Sequence, residues 1–149
     1  MNKSISAIIL LFVLSTLSLR AAEGTGIGFI TGDITGISLK TWSFAFETAT
    51  DLSLSWSSSG AQGQIGLLIH TYGKFEATEG RLGFYYGPGT RFTVEDGEKS
   101  RLGLRGTAGI SYFFPGAASE LFLELSPILF IIPASEFAVG GGIGGRFYF

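Results

Sequence analysis

The feature that most constrains this chain is an alternation of the wrong polarity for a water-soluble protein. It is clearest in the last twelve residues, Ala138 to Phe149. Side chains along a strand point alternately to opposite sides. Val139, Ile143, Phe147 and Phe149 therefore share one side with Gly141 and Gly145. Ala138, Gly140, Gly142, Gly144, Arg146 and Tyr148 share the other. One side is aromatic and aliphatic, and the other is small or charged.

The same division recurs upstream. Turn residues separate eight strand-like segments: 24–31, 35–42, 48–56, 64–72, 81–94, 101–113, 120–131 and 138–149. On each, one face is nearly free of charge, as in Leu52, Leu54 and Trp56 or Leu121, Leu123 and Leu125. The other face collects Lys40, Asp51, His70, Arg91, Arg105, Glu124 and Arg146, together with most of the glycines. A soluble barrel shows the reverse, with charge outside and apolar residues inside. An apolar face opposite a charged one must look at something apolar, and lipid fits best. Segments of this length match the ~9–11 residues of a tilted spanning strand. Closure into a barrel pairs every backbone group, which an open sheet in lipid leaves undone. The expected fold is all-β: an eight-stranded antiparallel up-and-down transmembrane β-barrel. Pro88 cannot donate to a ladder, so a bulge or local irregularity is expected in the fifth strand. The turns at the end away from the termini (Gly32–Ile34, Ser57–Gly63, Glu95–Ser100, Pro133–Glu136) are short.

Composition narrows the function classes. With 149 residues the chain suits one domain. It has no Cys, which excludes a disulfide scaffold, a thiolate metal site or nucleophile, and a lipid-modified N-terminal Cys. Net charge is −2 without a basic cluster, so no nucleic-acid partner is expected. Lys3 followed by the apolar stretch Ile5 to Leu19 reads as an export signal. The division is a signal peptide at 1–22 and a barrel domain at 23–149, with cleavage between Ala21 and Gly24.

An eight-stranded barrel has room inside for side chains rather than an open pore. Buried charges should therefore pair. A turn centred near residue 45 sets Lys40 opposite Asp51. A last turn near 134 sets Arg146 opposite Glu124, with Arg105 diagonal to it. The reading is a plug of salt bridges built from Lys40, Asp51, Arg105, Glu124 and Arg146, with His70, Tyr85 and Arg91 as further lumen polar groups. The alternative is a narrow, gated polar path. A single His without Cys gives no expected metal site. A lipid-modifying enzyme would need a Ser–His–acid set. His70 has Ser53 and Ser55 on the neighbouring strand, but the G-x-S-x-G elbow is absent. No enzymatic activity and no cofactor are expected. The glycines at 24–28 and 140–145 do not form a phosphate loop, because no helix follows either. A soluble barrel for an apolar ligand conflicts with charge on the inner face.

Aromatic residues gather at the strand ends. Phe44, Phe46, Tyr112, Phe113, Phe147 and Phe149 fall at the end that carries both termini, periplasmic if the membrane is an outer membrane. Trp56, Phe92, Phe130 and Phe137 fall at the other end. Two such belts are expected of a membrane barrel.

The whole mature chain resembles the small outer-membrane β-barrel proteins of Gram-negative bacteria, of the eight-stranded OmpA/OmpX kind. The resemblance rests on the terminal Phe149 with Phe147 before it, and on the opening Gly26-Ile-Gly28 and Thr35-Gly36-Ile-Ser38-Leu-Lys40-Thr-Trp42. It implies a bacterial outer-membrane location with lipid around the barrel; the oligomeric state stays open, with a monomer favoured. It also implies periplasmic chaperones and a barrel-assembly machinery that reads Phe147 and Phe149. A structural or envelope-interaction role follows. Typical members carry long external loops, so the short turns here weaken a loop-borne adhesin or receptor role.

Overall fold

A computed structural model describes residues 24–43, 47–72, 80–98 and 100–149. The expected signal peptide, Phe44 and Phe46 lie outside the described residues. Eight strands follow one another: β1 (Thr25–Gly32), β2 (Gly36–Ser43), β3 (Thr48–Ser57), β4 (Gly60–Tyr72), β5 (Arg81–Glu95), β6 (Arg101–Phe113), β7 (Ser119–Ile132) and β8 (Glu136–Tyr148). Each pairs antiparallel with the next, and β8 returns to β1, giving a closed up-and-down barrel. The seam runs from Gly26 opposite Tyr148 to Gly32 opposite Gly142.

The register fixes the shape. Following partners around the barrel leads from Gly26 through Lys40, Asp51, Gly66, Gly89, Arg105 and Ile128 to Ala138. Ala138 lies four residues beyond Gly142, the partner of Gly32, so the circuit rejoins β1 at Gly36, ten residues above its start. A stagger of this size across eight strands tilts them by about 40° to the barrel axis.

Two glycines close tight turns. Gly97 after Asp96 and Gly116 after Pro115 adopt φ of 80° and 73°, a region costly for other residues. The glycines of β8 have a different cause. A Cβ at Gly142 would lie 2.9 Å from the Ile30 side chain, and one at Gly144 would lie 2.4 Å from the Phe122 ring. β8 gives up inward side chains so that those of β1 and β7 can cross the narrow lumen.

One expectation changes and another sharpens. β4 begins at Gly60, not at 64, because Ser58 and Ser59 alone make the turn. At Pro88 the expected irregularity is a gap in the ladder without a bulge. In an antiparallel pair a residue's N–H and C=O point to the same neighbour. The missing donor therefore interrupts only the β4 ladder, between the pairs Gly66–Gly89 and Ile69–Tyr86. Pairing with β6 runs unbroken through Pro88 and Gly106. The register shift lies instead in β6 against β7, between Leu102 and Gly103.

The barrel is polar within and apolar without. Buried inside are Lys40, Asp51, Gln64, Arg105, Glu120, Glu124 and Arg146. Exposed outside are Phe29, Leu125, Val139 and Phe147, each more than 60% accessible. Buried apolar side chains are few; Ile34, in the β1–β2 turn, is fully covered.

Candidate functional site

The lumen holds the only dense cluster of charge among the described residues, and it falls into three connected tiers. The lowest, at the end where β1 begins and β8 finishes, centres on Glu120. Its carboxylate accepts from Lys40 Nζ at 2.8 Å, Arg146 Nη1 at 3.2 Å and the Tyr148 hydroxyl at 2.5 Å. Arg146 also donates from Nε to Ser38 Oγ at 2.9 Å, and its guanidinium lies 3.8 Å from the Phe122 ring centre. The Lys40 ammonium sits 4.7 Å from the Trp42 ring centre, 5.3 Å from that of Tyr85 and 5.9 Å from that of Phe113. An ammonium so placed is attracted to the ring faces. His70 lies between Trp42 and Tyr85, with ring centres 4.2 and 5.3 Å away.

The middle tier centres on Glu124. It accepts from Arg105 Nη2 at 2.8 Å, the Tyr85 hydroxyl at 3.2 Å and Gln64 Nε2 at 3.4 Å. Arg105 also donates to Ser126 Oγ at 3.0 Å and lies 3.5 Å from Asp51. The upper tier links Gln64 Oε1 to Arg91 Nη2 at 2.5 Å, and Arg91 pairs with Asp33. Asp33 belongs to the β1–β2 turn. Its carboxylate accepts from the Gly141 amide at 3.0 Å, and its carbonyl accepts from Gln62 at 3.3 Å. The turn is thereby drawn across the mouth, with Ile34 beneath it.

Four cations (Lys40, Arg91, Arg105, Arg146) face four anions (Asp33, Asp51, Glu120, Glu124) in these tiers. Tyr85, Glu124, Gln64, Arg91 and Asp33 form one hydrogen-bonded chain from the aromatic floor to the upper mouth. A buried charge is tolerable when it is paired and hydrogen-bonded; equal numbers meet the first demand, while Asp51 is held by the Arg105 charge without a direct hydrogen bond.

Two expected pairings are corrected. Arg146 meets Glu120 rather than Glu124, because the last turn centres at 133, where Phe130 already faces Glu136. Lys40 does lie opposite Asp51 along the ladder. Its long side chain nonetheless reaches across the lumen to Glu120, and Asp51 is left to Arg105. Two aromatic placements change as well. Phe113 turns inward, 6.2 Å from Trp42 and 5.6 Å from Tyr148 between ring centres, so it helps floor the lumen. Phe130 is buried inside, with Arg101 stacked on it at 3.8 Å. Tyr112, Phe147 and Phe149 lie on the outer side, and Tyr112 meets Phe114 edge-on at 5.0 Å.

Sequence reasoning did not single out Glu120, Gln64, Ser38, Tyr148 or Asp33. Glu120 shares a face with Glu124, so a last turn centred two residues earlier than the Arg146–Glu124 pairing requires would have exposed it. Asp33 carries no signal, since nothing local shows that a turn folds inward. Among the described residues, no group of three or more His, Asp or Glu side chains is set to hold a metal. Comparison with protein-family models, curated proteins and solved structures finds no match to this chain.

Proposed function

We propose that the chain is an integral outer-membrane β-barrel protein with a structural or envelope-interaction role and a lumen plugged by its own side chains. The observation that carries this reading is the inverted polarity of the closed barrel: exposed Phe, Leu, Ile and Val outside, a balanced charge network inside. Water on both sides would leave that exterior as an apolar patch far beyond what soluble monomers carry. Lipid outside and pairing inside account for both faces at once. The resemblance to the OmpA/OmpX kind of barrel agrees with it. On this reading residues 1–22 direct export, lipid is the main partner, and the assembly machinery reads Phe147 and Phe149. The barrel is monomeric and has no catalytic role.

The second reading is a narrow water-wide path. It is favoured by the buried oxygens of Asp51, Ser53 and Thr107, which accept or donate no direct protein hydrogen bond. Refolding into phospholipid vesicles followed by planar-bilayer recording tests the two. The first reading expects a heat-sensitive shift in gel mobility and no conductance above the bare bilayer. Discrete conductance steps would replace the plugged lumen with a path. Failure to enter vesicles would overturn both.

A further inference from the structure

The outer apolar belt is not of even height. β7 carries outward Leu121, Leu123, Leu125, Pro127, Leu129 and Ile131, a span of ten residues. β6 and β8 carry belts of the same extent, from Leu102 to Tyr112 and from Phe137 to Phe147. β1 and β2 carry two outward apolar residues each: Ile27 and Phe29, Ile37 and Leu39. Threonines bracket that short belt. Below it, Thr25 and Thr41 face one another with hydroxyls 3.5 Å apart. Above it, the Thr31 and Thr35 hydroxyls lie 3.3 Å apart.

The stagger of the barrel converts these positions to heights. With a tilt of about 40°, each residue along a strand climbs ~2.5 Å and each step to the next strand climbs ~3 Å. Measured from Gly26, Thr25 and Phe147 stand within about 3 Å of the same level, so the belt begins evenly around the barrel. Its upper limit is uneven. Thr31 stands about 12 Å up and Phe137 about 24 Å, while Leu125 in the middle of β7 stands about 11 Å up. The polar upper edge of the β1–β2 flank therefore lies at the mid-height of the belt on β6, β7 and β8. Those three strands match the ~25 Å apolar band of a membrane barrel, as does β5 from Leu82 to Phe92.

We propose that the β1–β2 flank is a membrane-thinning face, where the lipid leaflet on the side of the β1–β2 turn is drawn down by about 10 Å. The occupant is the bilayer itself, with headgroups descending to Thr31 and Thr35. A bilayer of full thickness would set these hydroxyls and the turn against acyl chains, and a shorter hydrophobic wall is met by local thinning. The inference rests on the membrane reading and extends it from where the barrel sits to what it does to the lipid around it.

The chain has no cysteine, so single thiols report one position each. Thr31→Cys and Leu125→Cys lie at nearly the same height on the short and tall flanks; Thr35→Cys is a second probe should Thr31→Cys fail to refold. Each is labelled with a fluorophore in dilute vesicles of 14-carbon phosphatidylcholine. The vesicles carry a nitroxide either on the headgroup or at the acyl-chain end. Thinning predicts that the headgroup nitroxide quenches position 31 at least threefold more strongly than the chain-end nitroxide, and that the order reverses at position 125. Chain-end quenching that dominates at both positions would overturn the proposal. So would a position 31 quenched by neither nitroxide but readily cross-linked between two copies, which would make the flank a protein interface. Absence of quenching at both positions would instead refute the membrane reading itself.

Discussion

Replacing Glu120 with Ala removes the single carboxylate that holds the lower tier of the lumen. Two buried cations depend on it, Lys40 at 2.8 Å and Arg146 at 3.2 Å. At these separations each attraction is worth roughly 5–6 kcal/mol before desolvation, at an effective dielectric of about 20. Most of that offsets the cost of burying the charges. The loss on removing one partner is larger than the pair's net worth, because the cations stay buried and repel one another. Breaking a buried pair from one side costs about 3–5 kcal/mol. We expect about 4 kcal/mol for Glu120→Ala, close to a thousandfold in the folding equilibrium. The assay is urea unfolding of the refolded barrel in detergent micelles, followed by tryptophan emission; Trp42 sits beside Lys40. A companion variant makes the test specific. Lys40→Met removes one stranded cation while keeping an unbranched side chain, so Glu120→Ala combined with Lys40→Met should be more stable than Glu120→Ala alone by about 1–2 kcal/mol. A Glu120→Ala cost under about 1 kcal/mol, or a double variant less stable than either single, would refute the network as described.

Other expectations follow from the same geometry. Glu124→Ala should cost about 2 kcal/mol in the same assay, less than Glu120→Ala, because Asp51 remains 3.5 Å from Arg105 as a countercharge. Gly28→Ala should prevent closure, since its Cβ would fall 1.8 Å from the Gly145 carbonyl oxygen at the seam. Gly106→Ala meets nothing nearer than 3.5 Å and should refold within about 0.5 kcal/mol of the parent, as heat-sensitive gel mobility and urea titration would show. Deleting Phe149, an exposed terminal residue, should lower the amount of assembled barrel in cells several-fold and leave the urea midpoint of purified, refolded protein nearly unchanged.

The fold was legible because one physical demand acts at every second residue. An exterior such as Leu121, Leu123 and Leu125 needs apolar side chains wherever it faces outward, and period-two alternation reports that without knowledge of partners. Parity even decides single aromatics: Phe113 shares its side with Ser111 and Arg105, which is why it points inward despite its place at a strand end. The charge network was less legible because pairing across a lumen depends on register summed around several turns. A shift of two residues in the centre of the last turn, from the 135 that an Arg146–Glu124 pairing requires to 133, moves Arg146 from Glu124 to Glu120. Side-chain length defeated the other pairing, since Lys40 is long enough to bypass its ladder neighbour Asp51. The inward fold of the β1–β2 turn had no sequence correlate at all. It depends on Gln62, Arg91 and Gly141, contributed by three distant strands.

Cell fractionation tests the central claim most directly. Expressed with its own N-terminus in a Gram-negative host, the protein should be recovered in the detergent-insoluble outer-membrane fraction, resist extraction by urea, and run faster on a gel unheated than boiled. Recovery as a soluble periplasmic protein, with an apolar exterior freely exposed to water, would contradict the account.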